Sequence, residues 1–291
     1  MGRLIVVIVV IAIVCATLGI ATNNARQVAS NSPAMCQPHA PLVAVPDLPE
    51  GSGVTLGRRN TSVLWSHNDS GEPEILALDS KGTVKGRVRV AGAMVGDWED
   101  ISAGPCAAGA CLYIADIGDN NRNRRHITMY RAVEPEPGDP TTKPAEAIDA
   151  TYPDGAHDAE AAFITGADEI FLVTKESAQT TGLYRFSGPL RSGAASTLQR
   201  VRALPVARVT DADASPDGAW VALRTNEELL LYPAPALVSG KPVEPHRVNL
   251  RNLKEPQGEG VTIANDGTVY LVGEGGRGTF AALRCGLAAS R

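Results

Sequence analysis

Past residue 21 the chain alternates short apolar stretches of four to eight residues with polar turns, and no stretch sustains a helical period. The turns carry strong signals: NDSGE (68–72), DSKGT (79–83), SPDG (215–218) and NDG (265–267). The apolar stretches are grouped. Five times an acidic residue is followed within a residue or two by a short strand, a turn and a second strand. The five segments are PEGSGVTLGRRNTSVLWSHND, DWEDISAGPCAAGACLYIAD, HDAEAAFITGADEIFLVTKE, TDADASPDGAWVALRT and PQGEGVTIANDGTVYLVGE, anchored on Glu50, Glu99, Glu160, Asp213 and Glu259. The anchors step by 49, 61, 53 and 46 residues, room for about four short strands each.

Repeats of this length built from several strands predict an all-β chain folded as a β-propeller. Five blades are expected, with room for a sixth between Tyr130 and Tyr152 or near residues 184–205. A sandwich would not start every unit with an acid. The ring must close on itself, so the N- and C-terminal segments are expected to meet in one blade.

Composition narrows the setting. The sequence is 44% hydrophobic but only 4% aromatic, so aliphatic side chains must fill the core. A formal net charge of −5 gives no footprint for nucleic acid. One Arg precedes an uncharged run from Leu4 to Ala21, which reads as a secretory signal ending near Gly19-Ile20-Ala21 or as an uncleaved membrane anchor. A lipoprotein at Cys15 fits less well, because Val14 stands where a small residue is wanted. The organisation is therefore 1–29 as signal or anchor plus linker and 30–291 as one propeller domain. It lies outside the cytoplasm, secreted or anchored, and is expected to be monomeric.

Export makes cysteines candidates for disulfides. Cys36, Cys106, Cys111 and Cys285 allow three connectivities. Cys106 and Cys111 flank a short turn, AAGA, and suit a hairpin staple. Cys36–Cys285 would then lock the closure of the ring. Zinc is the rival, without the paired CxxC units it favours.

The first strand of each propeller blade lines the central channel, so Glu50, Glu99, Glu160, Asp213 and Glu259 are expected to converge at one mouth, with Asp97, Asp158 and Asp211 flaring around it. Second strands return to that face and end in His67 and Asp69, Asp116, Lys175 and Glu176, Arg224, and Glu274. Like carboxylates must hold protons, pair with Lys175 and Arg224, bind a cation, or bond to backbone N–H groups and stitch blades together. Clustered oxygen donors suit Ca²⁺, with Mg²⁺ or Mn²⁺ as rivals. In IADIGDNNRNRR (114–125), Asp116 and Asp119 stand beside Arg122, Arg124 and Arg125, a set suited to a metal-bridged phosphate or carboxylate or to local charge pairing. No GxSxG elbow, HExxH helix, Walker loop or dinucleotide fingerprint is present.

HNDSG, DWEDI, IADIGDN, HDAEA, TDADASPDG and PQGEGV resemble a secreted bacterial β-propeller family of unknown function. More distantly, EGV and AEA resemble strand starts of phytase-like propellers and of the gluconolactonase and senescence-marker group. The resemblance covers about residues 45–285. It implies Glu99, Glu160 and Glu259 as metal ligands, Asp116 or Asp119 as water-orienting residues, and Lys175 and Arg224 as anchors for an anionic substrate. Those groups are six-bladed, the fourth unit here has Asp213 in place of Glu, and neither group's full catalytic set can be matched. Two functions follow as expectations. One is a divalent-metal-dependent hydrolase of phosphate esters or lactones, with Glu50, Glu99, Glu160, Asp213 and Glu259 on the metal, Asp116, Asp119 and His67 catalytic, and Lys175, Arg224 and Arg122 on a small anionic ligand. The other is a non-enzymatic propeller binding an envelope component on the same face.

Overall fold

The computed structural model describes residues 35–166, 169–178, 180–188, 190–193 and 195–287. The predicted signal or anchor lies outside them. Strand β1 (Cys36–Ala44) comes first in the chain but belongs to the last blade. Blade 1 contains β2 (Gly51–Leu56), β3 (Leu64–Asn68), β4 (Glu74–Leu78) and β5 (Val84–Arg89). Blade 2 contains β6 (Trp98–Cys106), β7 (Gly109–Asp116), β8 (Ile127–Val133) and β9 (Glu146–Thr151). Blade 3 contains β10 (Ala159–Gly166), β11 (Glu169–Thr174), β12 (Thr181–Arg185) and β14 (Gln199–Leu204); the two-residue β13 (Ser196–Thr197) leaves it to pair in parallel with β9. Blade 4 contains β15 (Val209–Ala214), β16 (Trp220–Thr225), β17 (Glu228–Pro233) and β18 (His246–Asn249), with a single-turn helix α1 (Ala234–Val238). Blade 5 contains β19 (Gln257–Ile263), β20 (Thr268–Glu274) and β21 (Thr279–Cys285), and β1 pairs antiparallel with β21 as its outer strand.

The chain is therefore a five-bladed propeller. The two stretches with room for a sixth blade hold β8 and β9 of blade 2 and β12 to β14 of blades 2 and 3. Closure is as the terminal cysteines imply: Cys36 and Cys285 are register partners and are disulfide-bonded. Cys106 and Cys111 bridge the β6–β7 hairpin.

The apolar strands are explained by where the core sits. It consists of five wedges, each between neighbouring blades, so a middle strand buries both faces and alternate residues serve different wedges. Leu112 and Ile114 of β7 pack with Trp65 and Ile75 of blade 1, whereas Tyr113 and Ala115 pack with Ile164, Leu172 and Tyr184 of blade 3. Phe163 and Phe171 meet Leu223 and Leu230 between blades 3 and 4. Leu229 and Leu231 meet Val261 and Leu271 between blades 4 and 5, and Val272 and Phe280 meet Val54 and Leu76 where blade 5 adjoins blade 1.

All five innermost strands carry a register break near the start: between Gly51 and Val54, Trp98 and Asp100, Ala159 and Ala161, Val209 and Asp211, and Gly258 and Val261. A bulge re-aims a side chain and bends its strand. Repeated on every blade, it sets the geometry of one channel mouth.

Candidate functional site

Hydrogen bonds between successive inner strands fix which residues are equivalent. Ser52 Oγ donates to the Glu99 carbonyl at 2.6 Å, and Thr210 Oγ1 donates to the Glu259 carbonyl at 3.0 Å. One residue further in, Asp100 Oδ2 accepts from Ala162 N at 2.5 Å, and Asp211 Oδ2 accepts from Val261 N. The bulge positions are thus Ser52, Glu99, Glu160, Thr210 and Glu259. The acids of blades 2, 3 and 5 occupy them as expected. Glu50 and Asp213 do not. Glu50 lies outside β2 on the exposed rim, accepting from Ser70 Oγ at 2.5 Å, and Asp213 lies three residues deeper than Thr210.

The three ring glutamates surround one ammonium. Lys175 Nζ lies 2.8 Å from Glu160 Oε1, and its backbone N–H donates to the Asp158 carbonyl at 2.8 Å. Burial opposes its charge, but Glu160, Glu259 and Glu99 outweigh burial and hold its pKa above the usual lysine value. Glu259 accepts from Gln257 Nε2 at 2.6 Å. The Glu99 carboxylate differs. It is 7% exposed and, among the described residues, receives no hydrogen bond or ion pair. Burial first, then Glu160 and Asp97, push its pKa up. A Cβ at Gly118 would lie 2.3 Å from Glu99 Oε1 and 2.4 Å from Asp97 Oδ2, so only glycine lets these two carboxylates close over the backbone there. Asp97 is itself raised by burial and by Asp158, and its carboxylate is likewise unpartnered among the described residues. Further out, burial, Glu50 and Glu274 push Asp69 up to about 6.

Below the ring, Asp100 and Asp211 are fully buried and face one another. Asp100 Oδ1 has no donor, whereas both Asp211 oxygens accept backbone N–H groups. Burial raises both, and two adjacent buried carboxylates cannot both ionise, so the pair shares a proton. Deeper still, Asp213 accepts from Thr262 Oγ1 (2.6 Å), Thr55 Oγ1 (2.9 Å), Ala214 N (2.9 Å) and Ser102 Oγ (3.3 Å). Burial pushes it up to about 6 against the pull of Arg58. Arg58 crosses the far end, donating to the carbonyls of Ala214 and Ala103 at 3.0 and 3.1 Å. Glu134 ties down its loop by accepting from the Arg58 and Arg59 amides. Arg58 and Glu134 carry no role in the sequence reading, because nothing in their local pattern separates them from ordinary strand and turn residues.

The remaining candidates are engaged elsewhere. Asp116 accepts from Gly96 N and Asp97 N, each at 3.1 Å, and from Arg124 Nη1 at 2.7 Å. Asp119 accepts from the amides of Asn123 (3.0 Å) and Arg124 (2.8 Å). Every oxygen of both acids is therefore used to shape the loops beside the mouth. His67 is fully buried, Nδ1 3.0 Å from the Asn68 carbonyl and its ring edge-on to Trp98. Burial lowers its pKa to about 4, so it is neutral at physiological pH. Arg224 is fully buried too, donating to the carbonyls of Gly260 (2.7 Å) and Val272 (2.8 Å) and pairing with Glu255 at 2.5 Å, a strut between blades 4 and 5. Arg122 is exposed and pairs with Glu176 at 2.7 Å.

Calcium was the expected ligand of the ring. Among the described residues no three His, Cys, Asp or Glu side chains are arranged to hold a metal ion. The reason is visible: Lys175 already supplies a cation among the glutamates.

No protein-family model and no curated protein matches the chain. Among solved structures it is similar to the PQQ-bound aldose sugar dehydrogenase of Streptomyces coelicolor, with 12% identity and a TM-score of 0.50 over 86% of this chain and 97% of that one. It is also similar to the apo-form soluble aldose sugar dehydrogenase of Escherichia coli, with 9% identity and a TM-score of 0.51 over 84% and 99%. At such identities the likeness establishes the propeller fold. The two disulfides fit an oxidising, extracytoplasmic compartment.

Proposed function

We propose that the protein is an extracytoplasmic, monomeric binding propeller whose acidic mouth receives a positively charged group of an envelope component. The observation that carries this reading is Glu99, almost wholly buried and without a partner, beside the equally unpartnered Asp97. A carboxylate costs free energy when buried unless it is paired or protonated. The surrounding acids, Asp69, Asp158, Glu160, Glu259 and Glu274, outweigh Lys175 and Arg124, so the local field attracts cations. The raised pKa of Glu99 keeps a proton on it in the empty protein, and an amine or guanidinium, or a calcium ion that displaces Lys175, would take the place of that proton. PQQ, which the Streptomyces neighbour binds, carries three carboxylates of its own and does not fit so acidic a mouth.

The test is thermal unfolding of the chelated protein with calcium, magnesium, manganese, and a lysine or arginine ester. Binding to the native state raises the midpoint by mass action. The expected result is a saturable rise with one cation that Glu99→Gln and Asp97→Asn abolish. No rise with any of them would overturn the reading. A second reading, metal-dependent hydrolysis of a phosphate ester or lactone, is favoured by the arginine-rich loop 122–125 beside the mouth, suited to the anionic end of a substrate. Calcium-dependent turnover lost in Glu99→Gln would establish it.

A further inference from the structure

Beside the mouth, between the β7–β8 loop and the loop that leads into β10, lies a separate cavity of about 130 Å³. Its lining includes Arg124, Arg125, His126, Tyr152 and His157. Among the described residues the only acid in the wall is Asp119, both of whose oxygens already accept backbone amides; Asp158 stands behind it, accepting the Asp119 amide at 2.9 Å. His157 is held between carboxylates, Nε2 3.1 Å from Asp154 and Nδ1 3.2 Å from Glu176. Arg124 spends Nη1 on Asp116 and the Gly118 carbonyl. Three donors remain unspent. Among the described residues Arg125 and His126 are exposed and make no hydrogen bond or ion pair. The Tyr152 hydroxyl is buried with no partner, although its ring is fixed edge-on against His157 and Tyr184, each with centroids 5.0 Å away.

We propose that this cavity is a binding site for a small oxyanion, the phosphate or carboxylate end of a ligand, held by Arg125, His126 and the Tyr152 hydroxyl. A buried hydroxyl without a partner is costly and calls for a water, an ion or a ligand to complete it; Tyr152 differs from the other such groups in belonging to the wall of this cavity. Burial pushes the Tyr152 phenol up, so it stays protonated and donates. A guanidinium fork matches the paired oxygens of either anion. The cavity is open to solvent, so a phosphate or carboxylate end would sit within it and the remainder of a larger ligand would extend outward. The cavity shares Arg124 with the surroundings of the cation site but uses neither Glu99 nor Asp97.

The experiment is calorimetric titration of the whole exported domain with inorganic phosphate and, separately, with acetate and lactate, at constant ionic strength set by sodium chloride. Saturable binding of phosphate alone would mark a phosphate-ended ligand, and of the carboxylates alone an acid-ended one; either supports the site. Arg125→Gln, which breaks no contact of the fold, should weaken binding at least about tenfold, as losing a charge-assisted hydrogen bond does. Tyr152→Phe should weaken binding by about as much while leaving the empty protein equally or more resistant to heat, because it removes an unsatisfied buried group. A purely structural Tyr152 would move only the second quantity. Glu99→Gln should leave anion binding unchanged. No heat beyond the chloride control with any anion, or wild-type affinity in both variants, overturns the proposal.

Discussion

Lys175→Met is the sharpest probe of the ring. Methionine keeps the length and most of the apolar stem and deletes the ammonium. Glu160, 5% exposed at its side chain, then loses its 2.8 Å partner, and Glu99 and Glu259 lose the nearest positive charge. Breaking one half of a buried pair costs about 3–5 kcal/mol. The lysine side chain is 31% exposed, so water relieves part of this and about 2–3 kcal/mol is expected at pH 8. For a domain of this size that is a fall in midpoint of about 5–10 °C. The pH dependence is the stronger test. Glu99, Glu160 and Glu259 bind protons more tightly folded than unfolded, because burial raises all three. Their contribution is therefore fully present below the unfolded glutamate pKa and is lost as pH rises through the folded values. Removing Lys175 raises those folded values further, so the variant should lose stability more steeply between pH 5 and pH 8. At pH 5 protonation repairs most of the defect. Thermal unfolding followed by near-ultraviolet circular dichroism at both pH values reads this directly. An equal loss at the two pH values, or none, would refute a ring of glutamates organised by one ammonium. The same variant should bind cations at the mouth more tightly.

Two further expectations concern the whole propeller. Wild-type stability should fall from pH 5 to pH 8, since Asp69 and Asp213 are both pushed up to about 6 and the Asp100–Asp211 pair is raised as well. Asp213 alone supplies at most about 3 kcal/mol, two pH units at about 1.4 each. Asp100→Asn should flatten that slope, and an unchanged midpoint across the range would contradict the shared proton. Cys36→Ser with Cys285→Ser opens a bridge spanning 249 residues and should cost about 5 kcal/mol in denaturant titration, whereas a loss under about 1 kcal/mol would show that β1 closes the ring unaided.

The architecture was legible because the wedges demand it: a strand buried on both faces reads as an uninterrupted apolar run, and five such groups with turns between them leave few folds open. The cysteine pairing was legible because closure brings the ends together. The acidic ring was only half legible. Counting from acids aligned Asp213 with Glu99, but blade 4 carries Thr210 at the bulge position and its acids one and three residues further in, so only hydrogen bonding identifies the counterpart. A bulge leaves no mark in composition. His67 and Arg224 stand at strand ends, where side chains commonly reach solvent. Here the neighbouring blade covers them, and only tertiary packing could reveal it.

The position of Cys36 has a mechanical consequence. It is the first residue of β1, and its register partner Cys285 is the last of β21. Tension arriving from the chain ahead of Cys36 would therefore pass straight through a covalent bond into blade 5. The hydrogen bonds of β1 lie behind that bond and would carry none of it, so the outer strand could not be peeled away one pair at a time. A reducing agent would convert this fastening into a zipper loaded at its open end. The force needed to open the ring should then drop sharply, with no change in the fold at rest.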